Sequence, residues 1–351
     1  MKQFAYDQIV QLSDSLCQRI ALIKSIESAP VCLDNALDAF SKNVLRVANL
    51  CRLPIMVSAH ARGWQSVTDA AVFEIAGTSR LTKDEMPSGE KIKIKRDEIV
   101  NEIRNGNREL TVSFLESPEA SHVNIASDFH HLLEVNEDAI PAAEAFFASL
   151  IMGARTAFET LAADLWVACL NANPLLGFVA LGAEITADDD EQERDRKYKT
   201  KYPLNLHLLK DCDFNLKKSM GTVLRKKWDF ARREKAVEAY HKVFDDASKP
   251  NPFLISPKET IDGIFWNTNM SWLIALRNAL IHSGGKVDSE FKNSVANHPI
   301  LKACEVGEPI PLDGQLISPL IEQASKCGQE LIEFVSKWLK AYDLRNAKLN
   351  S

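Results

Sequence analysis

The sequence predicts a mainly α-helical protein, with a helical bundle on its C-terminal side preceded by a helical or α+β region. Three observations predict it. Apolar residues recur at helical spacing through most long stretches. Residues 139–172 run apolar and Ala-rich, with no proline after Pro141. The breakers Pro30, Asn173-Pro174, Pro250, Pro252, Pro257 and Gly284-Gly285 cluster between such stretches. The 351 residues hold 46% hydrophobic and 26% charged types, a globular composition rather than a disordered one. At about 150 residues per domain the chain has room for two, and it divides into a region 1–130 and a domain 139–345.

Taken in order, Phe4, Ile9, Leu12, Leu16, Ile20 and Ile23 predict a first helix that Pro30 breaks. A second is expected over roughly Asn35 to Leu50. After Pro54 the pattern loosens. Residues 91–95 (KIKIK) and 109–114 (ELTVSF) alternate with period two and predict short strands. Lys91, Lys93, Lys95 and Arg96 would then guard a strand edge. Ala139 to Ala172 is expected to be a core helix stopped by Asn173-Pro174. Thr186 to Thr200, opening with the acidic run 188–193, suits an exposed loop. Further helices are expected from about Phe214 to Asp245, from about Glu259 to His282, and from about Ile317 to Leu344. The second half thus carries four substantial helices, which a bundle would bury. No repeat of 20–50 residues is evident.

Composition also removes function classes. A net charge of −6 gives no global field to attract a polyanion, so any nucleic-acid face must be local. No apolar run approaches the ~20 residues of a membrane span, and the first residues lack a signal-peptide layout, so a cytoplasmic protein is expected. Seven widely spaced cysteines with no C-x-x-C pair suit reduced, buried thiols. The phosphate-loop, dinucleotide, serine-hydrolase and zinc-protease motifs are all absent. His130 and His131 with Asp128 and Glu134 lack a second half-site, so no metal or cofactor is implied.

The informative stretch is Trp266 to Gly285. On a helical wheel Arg277 falls within the stripe of Trp266, Met270, Leu273, Ile274, Leu280 and Ile281. A guanidinium cannot deprotonate, so an anion must meet it: a carboxylate of the fold, or a phosphate. Glu159, one acid in an apolar stretch, is the candidate internal partner. His282 lies in the last turn, where exposed carbonyls favour an imidazolium. It is about 140° round the helix from Arg277, so two copies of the helix near a two-fold axis would bring the groups together.

Arg277-Asn278-Ala-Leu-Ile-His282 resembles the R-polar-x-x-x-H motif of the HEPN superfamily of helical ribonuclease and nucleotide-binding domains. The 283–285 (SGG) stop, Val287-Asp288, the 307–312 (GEPIPL) segment and the upstream helix containing Arg155 and Glu159 resemble the setting of that motif in prokaryotic defence proteins. The resemblance covers about residues 139–345. It implies a metal-independent endoribonuclease acting as a homodimer with a composite site, in antiviral defence or toxin activity. Arg277 and His282 would be catalytic, with Asn278 orienting the phosphate or the partner's histidine. An antitoxin or regulatory subunit is a further implied partner. Gly284 stands where the toxins paired with nucleotidyltransferase antitoxins carry tyrosine, so control through that tyrosine does not transfer.

RNA as partner has a second support. Between Arg194 and Lys242 there are 15 Lys or Arg against 6 Asp or Glu. Leu216, Val223, Phe230 and Val237 repeat every seven residues, with Lys218, Arg225 and Arg232 on the other face as candidate RNA contacts. Two alternatives remain at this point: a non-catalytic HEPN module that dimerises and holds RNA or a nucleotide, and a structural helical scaffold.

Overall fold

A computed structural model describes residues 6–26, 29–78, 82, 85–105, 139–180, 215–245 and 257–349. Four long helices close a ring: α1 (Tyr6–Lys24), α2 (Asp34–Ala76), α4 (Ala139–Ala172) and α11 (Gly314–Leu349). In this ring α1 packs on α2, α2 on α4, α4 on α11 and α11 back on α1. Their inward residues, among them Leu16, Phe40, Phe147, Leu161, Trp166 and Leu331, form one core, the usual solution for helices with a single apolar stripe. Polar groups pin the seams: Ser13 Oγ donates to the Ala48 carbonyl (3.1 Å) and Arg19 donates to Gln329 (3.0 Å).

A second layer of shorter helices covers α4 and α11: α5 (Leu175–Ala180), α6 (Leu216–Arg225), α7 (Arg233–Phe244), α8 (Pro257–Phe265) and α9 (Thr268–His282). Buried aromatics knit it down, each satisfying its polar tip on a neighbouring backbone. Trp166 Nε1 donates to the Ala239 carbonyl (3.0 Å), the Tyr240 hydroxyl to that of Ala162 (2.8 Å), and Trp338 Nε1 to that of Phe244 (3.2 Å). Where α6 crosses α4 the backbones touch. A methyl group on Gly221 would lie 2.3 Å from the Val167 carbonyl oxygen. Gly221→Ala is therefore expected to cost about 1–3 kcal/mol, read as a lower urea midpoint.

The mainly α-helical class holds, and several expected boundaries move. No strand forms at residues 91–95, because they lie in α3 (Gly89–Arg104). Over sixteen residues Ile92, Ile99, Val100 and Ile103 recur at helical spacing, and this outweighs a five-residue alternation. Ile99, with Val100 and Ile103 beside it, packs on Val67, Ala70 and Ala71 of α2. Lys95 bonds Glu74 and Glu98 (3.1 Å each) and Arg96 stacks over Trp64 (4.3 Å), so these cations guard no edge. The α2 helix does not stop near Leu50 but runs through Pro54, held by the main core on one side of that proline and by α3 on the other. The expected strand at 109–114, the loop 186–200 and the pair His130-His131 lie outside the described residues.

The single helix expected from Phe214 to Asp245 is two, α6 and α7. Between them Trp228 and Phe230 turn into the core, and Asp229 Oδ1 accepts the Ala231 N–H (3.1 Å), a local turn that competes with helix. The stretch 259–282 likewise divides into α8 and α9. Asn267 caps α9, its Oδ1 accepting the Asn269 N–H (3.0 Å). Of the cysteines, Cys51, Cys169 and Cys327 are fully buried. Burial pushes the Cys51 thiol up to about 12 and that of Cys327 to about 11, which leaves both inert as nucleophiles.

His298 is a structural histidine near the site. Its ring packs edge-on against Trp272, and Nδ1 accepts the N–H groups of Ile300 and Leu301 (3.1 Å each). Burial holds its pKa below the ordinary 6.5. The native state then binds fewer protons than the unfolded chain, so this contribution is complete above pH ~6.5 and is lost as pH falls through the window below it. Melting temperature should drop on acidification through that window, and His298→Asn should flatten the drop.

Candidate active site

The site is built at the C-terminal end of α9. Gly284 and Gly285 take left-handed conformations (φ 58° and 77°), and the Gly285 N–H returns to the Ala279 carbonyl (3.1 Å), a glycine-dependent helix stop. The chain beyond is clamped to residues 307–310. The Val287 N–H donates to Glu308 O (2.9 Å), that of Gly307 to Val287 O (2.8 Å) and that of Ile310 to Gly285 O (2.9 Å). Asp288 then caps α10 (Ser289–Ser294), accepting the Phe291 N–H (2.7 Å), and also accepts the Ser283 hydroxyl. These two bonds hold the Asp288 carboxyl below the usual carboxylate range, and His282 adds to the effect from nearby. The glycine stop and the clamp to residues 307–310, both beyond the motif in the chain, thus fix the end of α9.

This end opens onto a cleft of about 710 Å³ walled by α4, α7, α9, α10 and the turn before α7. Arg277, Asn278 and His282 all line it, within one chain. Glu159 and Arg232 line it as well. Lys218 and Arg225 belong to α6, and Arg225 is not among the residues that line the cleft. Arg225 is paired with Asp164 (3.2 Å). The expected basic stripe is therefore broken by the turn between α6 and α7. Arg232, in that turn, reaches the cleft, exposed and 3.5 Å from Asp229.

Two expectations about Arg277 are corrected by the geometry. It is not embedded in the apolar stripe, since α9 buries Met270, Leu273, Ala275, Leu276 and Ala279, while Trp266 and Ile281 are 44% and 45% exposed. Nor is Glu159 its ion-pair partner. Glu159 Oε1 lies 2.9 Å from Arg155 Nε, one turn earlier on α4, and Arg155 is the buried guanidinium at 3% exposed. Arg277 acts on Glu159 only through the field. Burial raises the Glu159 carboxyl, while Arg155 and then Arg277 oppose the rise. Among the described residues no carboxylate lies within 4 Å of Arg277, whose one hydrogen bond goes to its neighbour Asn278 (3.2 Å).

Two cleft residues were not picked out from sequence. Arg155 could have been found from its four-residue offset to Glu159, a spacing that sets the two side chains on one helix face. Arg233 carries no such local signal. It donates to Ser271 Oγ (2.6 Å) and stacks over Trp266 (4.0 Å), both far away in sequence. Burial, with Arg277 and Arg233 nearby, depresses the Arg155 pKa, opposed by Glu159. Four guanidiniums, of Arg155, Arg232, Arg233 and Arg277, line the cleft beside the carboxylates of Glu159, Asp229, Glu234, Asp288 and Glu290, and of these acids Glu159 is the one in direct contact with Arg155.

Among the described residues no group of three His, Cys, Asp or Glu could hold a metal ion, and no helix is long and apolar enough to cross a membrane. The fold and site define a mainly α-helical protein with a polar cleft lined by arginines and carboxylates. Comparison of the chain with protein-family models, with curated proteins and with solved structures finds no match.

Proposed function

We propose that this cleft is the active site of a HEPN-type, metal-independent endoribonuclease that works as a homodimer. The observation that carries the reading is that Arg277, Asn278 and His282 open into one cleft, with Arg277 lacking a carboxylate partner among the described residues. An imidazole and an uncommitted guanidinium suit phosphodiester transesterification. The ribose 2′-oxygen bonds to the adjacent phosphorus, the bond to the 5′-oxygen breaks, and the proton passes from the 2′-hydroxyl to that leaving oxygen. His282 carries one of these proton movements, and Arg277 neutralises the charge growing on the phosphoryl oxygens. The amide of Asn278 orients the phosphate. A second copy's histidine would supply the other proton step, which is the chemical reason for a dimer. Defence or toxin activity, restrained by an antitoxin or regulatory subunit, is the setting this chemistry fits.

The test is incubation of the purified protein with structured RNA in EDTA. Fragments ending in 2′,3′-cyclic phosphate and 5′-hydroxyl are expected, while DNA, lacking the 2′-hydroxyl, stays whole. Intact RNA with shifted mobility would favour a silent binding module instead.

A further inference from the structure

One wall of the cleft is built for more than the reacting phosphate. Arg233, at the start of α7, donates Nη1 to Ser271, rests its guanidinium on the Trp266 ring and buries Nε without a hydrogen-bond partner. Its nearest carboxylate, Glu234, is 3.8 Å away and 67% exposed, a pairing that water screens heavily. The side chain is thus fixed in place while its charge is poorly satisfied. Ser271 in turn donates to the Asn267 carbonyl (3.1 Å), so the support of Arg233 is itself anchored on the cap of α9. Trp266, outside the cleft lining but in contact with it through Arg233, leaves nearly half its surface in solvent. With one face under the Arg233 guanidinium, the ring has its opposite face to offer a base while Arg233 offers a cation to the phosphate, the two parts of a nucleotide platform.

We infer that Arg233 and Trp266 form a nucleotide subsite next to the reacting position, Arg233 holding the backbone phosphate beside the scissile one and Trp266 stacking its base. The inference rests on the ribonuclease reading only for which phosphate reacts; the binding is testable without cleavage. The probe is a short single-stranded 2′-O-methyl RNA, which cannot attack its own phosphate, titrated against the full chain by fluorescence anisotropy at several salt concentrations. Arg233→Gln should weaken binding roughly tenfold and reduce the salt slope by about 0.7, the loss of one phosphate contact on a single strand. Arg233→Lys should restore the slope. Trp266→Ala should weaken binding about tenfold and leave the slope unchanged, and Trp266→Phe should recover most of it.

Affinities within about twofold of wild type for both Arg233→Gln and Trp266→Ala, or no binding by the wild-type chain, would overturn the subsite. Should Trp266→Ala fail to fold, the comparison of Arg233→Gln with Arg233→Lys decides alone. The two readings fail differently. A chain that cuts RNA while both variants bind normally loses the subsite and keeps the nuclease; one that binds through both residues and never cuts does the reverse.

Discussion

His282→Ala and Arg277→Ala are each expected to lower RNA cleavage in EDTA by about 10²- to 10⁴-fold, the range for removing a general acid–base group or a donor to developing charge. Folding should hardly notice. His282 is exposed and Arg277 half-buried, and neither makes an ion pair among the described residues. Substitutions of that kind stay within roughly 0.5 kcal/mol, a change of about 1–2 °C in melting temperature at most. Cleavage assays and melting curves on the same preparations therefore separate the proposals. Loss of cutting with an unchanged melt supports catalysis, whereas parallel loss of both would make the pair structural.

The legible part of this protein is what local chemistry decides. The Ala-rich run gave α4 to the residue at its C-terminal end, and Gly284-Gly285 gave the stop of α9, because helix periodicity and left-handed glycine act within a few positions. What stayed hidden depends on partners far off in the chain. The period-two run at 91–95 becomes helix because α2 offers Val67 and Ala71 to the other face of Ile99. Pro54 leaves α2 unbroken because both flanks are held by packing. The ring of α1, α2, α4 and α11 joins the two halves of the chain in one core, which no periodicity announces. At the site, the wheel placed the core guanidinium at Arg277, whereas the buried guanidinium that meets its anion is Arg155.

That exchange of partners carries the largest expected effect on stability. Glu159→Ala would leave the Arg155 guanidinium buried with only a long bond to the Ala231 carbonyl (3.4 Å), and breaking a buried pair from one side costs about 3–5 kcal/mol. Side-chain exposures of 4% for Arg155 and 16% for Glu159 place the pair well inside, with the acid end nearer water, so about 3 kcal/mol is expected, read from denaturant midpoints. Removing both charges at once, as Arg155→Met with Glu159→Leu, should recover most of that loss, because neither desolvated charge remains. Double-mutant cycles locate the bond. Coupling of about 2 kcal/mol or more between Glu159 and Arg155, against under about 0.5 kcal/mol between Glu159 and Arg277, is the expected pattern. The reverse pattern would return Arg277 to the role of a structural cation and take from the cleft the free guanidinium on which phosphate chemistry depends.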